Sequence, residues 1–269
     1  MLRDITLGQY YQADSIIHKL DPRVKLATTL IFIISLFVFD NIAGYAVPAI
    51  FLIIVIKLSK VPFKFMVKGM KAIVFLLLLT VICNLLLTPG KPVVTFWKLT
   101  ITKEGLRLAG LMAVRLSFLI IGSSIMTLTT TPNQLTDAME KMMGPLKKIK
   151  VPVHEIAMMM SIALRFIPIL LEETDKIMKA QIARGADFES GNLVKKAKSM
   201  VPLLVPLFIS AFRRANDLAM AMEARCYRGG EHRTKMKPLH YEHRDYIAYA
   251  IVACYLAAGI AAGKIVGML

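Results

Sequence analysis

The sequence lacks any glycine-rich loop ending in Lys-Ser or Lys-Thr, so the chain carries no means of cradling nucleotide phosphates, and if it works with ATP another chain binds it. Its five histidines, His18, His154, His232, His240 and His243, include no His-Glu-x-x-His helix. His240-x-x-His243 alone is a poor metal signature, so neither a bound metal nor a catalytic residue is expected. Cysteine is scarce: Cys83 and Cys254 lie in apolar runs and Cys226 stands apart, which suggests no paired framework. Acidic residues number 18 against 34 lysines and arginines, and they do not cluster within apolar runs as a secondary transporter or membrane enzyme would require. A cleavable signal is also missing, because Arg3, Asp4, Asp14, Lys19 and Asp21 occupy the place of its apolar core; a retained, cytoplasmic N-terminus is expected.

What is present is apolar and basic. The 269 residues are 56% hydrophobic, with a formal net charge of +16, a combination that points to an integral membrane protein with a basic face. Nucleic acid is not expected as a partner, since base-stacking aromatics and phosphate-gripping repeats are absent. The basic residues flank apolar spans, where they orient the chain and meet anionic lipid of the bilayer.

The first span is expected to start at Asp21-Pro22, with aspartate as the helix cap and proline in the first turn. It runs to about Phe39 and is short for a bilayer, so Arg23 and Lys25 must reach back to the headgroups. A second covers roughly 42–56, a third 72–88, a fourth 105–131 and a fifth 246–266. The connection holding Lys57, Lys60, Lys64, Lys68 and Lys71 contains no acid, which assigns it to the cytoplasm. Segment 131–244 then lies inside and the C-terminus outside. Gly259, Ala261, Ala262 and Gly263 in the last span suit close helix approach.

Segment 132–243 reads as amphipathic but too charged to cross a bilayer. Two stretches, Ile156 to Ile182 and Leu193 to Met222, repeat apolar residues at steps of three and four, each for about 30 residues or roughly 45 Å of helix. Pro202 and Pro206 mark a kink in the second or its start from a loop. Both stretches end in a lone arginine between small residues: Ala183-Arg184-Gly185 and Ala224-Arg225-Cys226. One such arginine reads as a cation complementing a helix dipole. The repeat instead indicates two equivalent plugs, arginine being the side chain whose planar fork grips a carboxylate. Methionines crowd the same segment, Met158, Met159 and Met160 among them, and suit a surface that repacks against partners. Arg115 and Arg165 are each open to a structural or a functional role.

The two arginine motifs and the opening segment His18-Lys19-Leu20-Asp21-Pro22-Arg23-Val24-Lys25-Leu26 resemble the transmembrane T component (EcfT) of energy-coupling factor transporters, over essentially the whole chain. Cys226 stands where that family's second motif has glycine. The resemblance implies an all-α polytopic membrane protein, with about five transmembrane helices and a cytoplasmic coupling domain of long crossed helices. The expected division is 1–131 as N-terminal membrane domain, 132–243 as coupling helices and 244–269 as the last span. It further implies that Ala183, Arg184, Gly185, Ala224, Arg225 and Cys226 bind two homologous cytoplasmic ATP-binding subunits (EcfA and EcfA′), which hold the ATP and magnesium. A membrane S component would bind the vitamin or other micronutrient, on a platform expected at Met158, Met159, Met160, Leu204, Phe208 and Phe212. The chain itself is then a non-catalytic, multi-pass subunit in a bacterial or archaeal plasma membrane. The alternatives are a T component dedicated to a metal ion and a permease subunit of a conventional ABC importer. Glu223-Ala224 loosely matches such a permease's coupling element, but only one per chain would be expected.

Overall fold

Helices begin where the sequence supplies caps. Asp21 accepts the Arg23 amide at 2.8 Å and Pro22 occupies the first turn of α1, Pro22–Val38; Thr102 accepts the Gly105 amide at 3.1 Å and opens α4, Lys103–Thr129. Both caps satisfy an amide with no partner inside the helix. The computed structural model describes residues 10–39, 42–66, 73–89, 91–96, 99–188, 192, 194, 198–230, 236 and 238–267. Its other helices are α2 (Ile42–Ser59), α3 (Val74–Leu87), α5 (Pro132–Met142), α6 (Val153–Ala183), α7 (Val201–Ala224) and α8 (His243–Gly267), with a 3-10 turn at Gly144–Ile149. Lys68, Lys71, Leu193 and Ala197 lie outside the described residues.

The expected all-α class holds apart from one short hairpin. Strand β1, Pro92–Phe96, pairs antiparallel with β2, Leu99–Thr102, placing Phe96 opposite Leu99. The run Val93-Val94-Thr95 is β-branched and follows Thr-Pro-Gly, a turn signal before residues that favour strands.

Among the described residues, three helices are long and apolar enough to cross a membrane: α4, α6 and the stretch His243–Ala262 of α8. Shorter apolar helices cover Gly44–Ser59 and Val74–Leu86. Helix α6 has this length and apolar content although segment 132–243 as a whole reads as too charged to cross. Its charges are unevenly placed: only Glu155 and Arg165 fall between Val153 and Leu171, whereas Glu172, Glu173, Asp175, Lys176 and Lys179 crowd the end. The helix ending at the second arginine is also shorter than its periodicity suggests, 24 residues from Val201, with Pro202 in the first turn, where its missing N–H costs nothing.

The chain divides into two compact units among the described residues: Gly8–Ala138 with Leu239–Leu269, and Met139–Pro238. The first is built on α1, α2, α4 and α8, and its core holds Phe32, Leu36, Phe39, Tyr45, Leu52 and Tyr255. Tyr255 stacks on Phe51 with ring centroids 4.6 Å apart, and its hydroxyl meets that of Ser35 at 2.6 Å. Gly259 is required here because any Cβ would enter the Phe39 ring. Arg115 is partnered within this unit: its Nε donates to the Tyr45 hydroxyl at 2.6 Å and its Nη2 to the Phe39 carbonyl at 3.4 Å. A half-buried charge in apolar surroundings is costly unless so partnered.

The opening segment is latched to the start of α8. The carboxylate of Asp245, 1% exposed, accepts the amides of Asp21 at 2.9 Å and Glu242 at 2.8 Å. Asp21 in turn holds the Arg23 guanidinium at 2.7 and 3.0 Å, which lies 3.9 Å from the Tyr241 ring centre. Lys25 donates to the carbonyls of His18 at 3.0 Å and Thr129 at 2.9 Å.

Candidate coupling site

The second unit carries both arginine motifs, and the two helix ends are built alike. After α6, Gly185 takes φ +89°; its amide donates to the Ile182 carbonyl at 2.9 Å and the Ala186 amide to Gln181 at 3.0 Å. After α7, Cys226 takes φ +55°; its amide donates to Glu223 at 2.8 Å and the Tyr227 amide to Met222 at 3.1 Å. In each case the reversed bonds of a Schellman turn satisfy the last carbonyls, and the arginine is the capping residue. Cys226 therefore reproduces the glycine geometry despite its Cβ, at a cost of about 1 kcal/mol for a left-handed non-glycine residue. Arg184 and Arg225 are both exposed.

The two turns are not brought together. Gln181 of α6 donates to the Pro202 carbonyl of α7 at 3.4 Å. Farther along, Glu173 accepts from the Ser210 hydroxyl and from Arg214 at 2.9 Å. Falling numbers on α6 meet rising numbers on α7, so the helices run antiparallel and their C-terminal arginines lie at opposite ends. A 24-residue α7 separates them by roughly 36 Å.

Around the second turn the side chains form a hollow of about 530 Å³, lined by Met158, Ile162, Arg165, Met222, Arg225 and Arg228. Three guanidinium groups on one hollow favour an anionic partner group. Arg165 and Arg228 join the second turn only in the fold, since they lie on α6 and beyond the motif. The Glu173, Ser210 and Arg214 clamp also escaped sequence reading, although its residues sit on the polar side of each amphipathic repeat.

The residues expected to receive a membrane partner are largely uncovered. Met159 and Met160 are exposed on α6 while Met158 is half-buried, and Leu204, Phe208 and Phe212 are exposed on α7. The last three follow one another at steps of four, and the rings of Phe208 and Phe212 lie 4.7 Å apart. With Val201, Val205 and Ile209 also exposed, they form a continuous apolar stripe rather than scattered residues.

The site can hold and orient anionic groups. No group of three metal-ligating side chains occurs among the described residues.

A family model described as Cobalt transport protein (CbiQ) matches residues 13–236. A relative from Clostridium kluyveri is 59% identical over 250 residues, covering 92% of this chain and 93% of its own. Relatives from Thermosediminibacter oceani, 54% identical over 96% and 97% of the two chains, and from Bacillus subtilis, 48% identical over 91% and 93%, are similar throughout. All three are named energy-coupling factor transporter transmembrane protein EcfT.

Proposed function

The chain belongs to the family of energy-coupling factor transporter transmembrane proteins, the T components of these transporters, and we propose that it couples two cytoplasmic ATPases to a membrane S component. Arg184 and Arg225 each place a guanidinium against a carboxylate of one ATPase. The observation that carries this reading is the pair of equivalent Schellman turns at opposite ends of an antiparallel helix pair. Equivalent ends suit homologous sockets, and their separation suits two subunits rather than one. A single coupling element, as in a conventional ABC permease, would not call for the duplication.

In the same reading ATP and magnesium belong to the ATPases. The S component binds the vitamin or other micronutrient, and rests on the apolar stripe of Leu204, Phe208 and Phe212 with Met159 and Met160. The unit Met139–Pro238 faces the cytoplasm of a bacterial or archaeal cell, as does the lysine-rich connection after α2, and the C-terminus is outside.

Removing one partner of a buried charge-assisted pair typically costs about 2 to 5 kcal/mol, while a second contact on the same body partly preserves attachment by effective concentration. Arg184→Ala with Arg225→Ala is therefore expected to abolish transport and detach the ATPases in affinity purification, with the S component retained. Arg→Lys at both positions falls between, keeping charge but losing the fork. Wild-type transport by the double alanine variant with its ATPases still bound would refute the coupling role.

A further inference from the structure

We propose that the two arginine turns sort the two ATPases by charge. Arg165 and Arg228 make the second turn select the ATPase whose docking face carries two or more carboxylates, and Asp187 turns that face away from the first. The inference rests on the docking role proposed above for Arg184 and Arg225.

The turns correspond residue by residue, Arg184 with Arg225, Gly185 with Cys226 and Ala186 with Tyr227, because matching amides close both. The next position carries opposite charge, Asp187 after the first turn and Arg228 after the second. The backbone that presents the arginine is shared, and the charge beside it is reversed.

The hollow of about 530 Å³ at the second turn adds to that contrast. Arg165, Arg225 and Arg228 line it, and no carboxylate is among its lining residues; Glu223, two residues before Arg225, is not one of them. Among the described residues none of the three guanidinium groups has an ion-pair partner, whereas Glu140 is taken by His154 and Glu173 by Arg214. Three like charges without a counterion repel one another, and an acidic partner surface relieves that repulsion. The chain beyond the turn is held back toward the start of α6. A Cβ at Gly230 would enter the His154 ring, and that ring is fixed by its 2.9 Å bond to Glu140.

Two homologous sockets that each accept one arginine cannot be told apart by the arginines alone. A carboxylate facing Arg228 is attracted at the second turn, and at the first it meets Asp187, so selection comes from attraction and repulsion together. Each exposed pair contributes up to roughly fivefold, so Arg165 and Arg228 against Asp187 give about tenfold or more.

The test uses the full chain co-purified with its S component and both ATPases, with p-benzoylphenylalanine placed at Ala180 or at Ala221. Both alanines are exposed, four residues before Arg184 and Arg225 respectively. After irradiation, mass spectrometry identifies the captured ATPase and the peptide. Position 221 should capture one ATPase and position 180 the other, each by about tenfold, with adducts from 221 on a face bearing two or more carboxylates. Asp187→Arg combined with Arg165→Gln and Arg228→Asp should erase or invert the preference, whereas Arg165→Lys with Arg228→Lys should keep it. A second measurement needs no charge variant: raising salt from about 0.1 to 0.5 M should weaken capture at 221 about threefold more than at 180. Sorting that survives the charge exchange, capture of both ATPases equally at each turn, adducts from 221 on a face without carboxylates, or equal salt sensitivity would each overturn the proposal while leaving the docking of Arg184 and Arg225 intact. Capture of no ATPase at either position would instead remove the docking role, and the sorting with it.

Discussion

The two arginine turns differ at the residue of positive φ, glycine at 185 and cysteine at 226, and exchanging those residues tests whether the turns are equivalent supports. A Cβ added at Gly185 meets nothing within 4 Å, so the backbone alone sets the cost of Gly185→Cys. At φ +89° the residue lies beyond the left-handed well that L-residues tolerate, centred near +60°, which places the cost toward the upper end of about 1 to 2 kcal/mol. That raises local opening by roughly 5- to 30-fold. The reverse change, Cys226→Gly, relieves a similar strain but adds unfolded-chain entropy of about 0.5 to 1 kcal/mol. The net gain is about 0.5 kcal/mol, and the exposed thiol loses little packing.

Hydrogen exchange reads both changes directly, because the amides of Gly185 and Ala186, and of Cys226 and Tyr227, donate the bonds that close each turn. Gly185→Cys should accelerate exchange at its own turn by about an order of magnitude and leave the other untouched, while Cys226→Gly slows exchange at 226 and 227 slightly. Gly185→Ala should behave as Gly185→Cys does, which separates backbone strain from thiol chemistry. Unchanged exchange in Gly185→Cys, or faster exchange in Cys226→Gly, would show that left-handed geometry does not hold the turns. The account of two equally presented arginines would then fail at its structural root.

Two further expectations concern the latch around the opening segment. Asp245→Ala strands the two amides that its carboxylate accepts, at about 1 to 3 kcal/mol for the buried Asp21 amide and less for the part-buried Glu242 amide, and should lower the thermal midpoint of the detergent-solubilised chain clearly; Asn, which keeps one acceptor oxygen, falls between, and an alanine variant as stable as wild type would refute the latch. Burial holds the pKa of His18 below its usual 6.5, outweighing the raising influence of the Tyr11 carbonyl; its stabilising effect is therefore present above about 6.5 and lost as pH falls from there through the lowered folded value. Thermal stability of wild type should drop more steeply than that of His18→Asn on acidification, and parallel profiles would count against it.

Helix positions were legible because the signals are local. Asp21-Pro22 marks the start of α1, and steps of three and four mark α6 and α7 up to their arginines. The β hairpin was not read, since its strands of five and four residues are too short to display a period against apolar surroundings. The membrane-length character of α6 was hidden by averaging over 132–243, because charge beyond Leu171 masks the apolar stretch before it. The duplicated turns were visible as a motif, but their opposite placement was not: Glu173 with Ser210 and Arg214, and Gln181 with Pro202, are pairings that sequence spacing does not encode. Asp245 similarly reads as an ordinary first-turn acid until the fold brings Asp21 to it.

The antiparallel pairing has a mechanical consequence for the proposed coupling. Each arginine is fixed to its own helix by a closed turn, so a change in the distance between two docked ATPases cannot be absorbed by the turns without breaking their hydrogen bonds. It must be taken up where α6 and α7 touch. The contact with charge there is the Glu173 clamp, partly exposed on both sides and so worth about 1 kcal/mol or less, which is weak enough to let the helices pivot and directional enough to restore their register. In the apolar stripe on α7, Leu204 and Phe208 lie between that clamp and the start of the helix, and Phe212 lies between Ser210 and Arg214. A pivot at the clamp therefore carries the stripe along with α7, and under the proposed function it converts a separation of two ATPases into movement of the surface proposed to receive the S component.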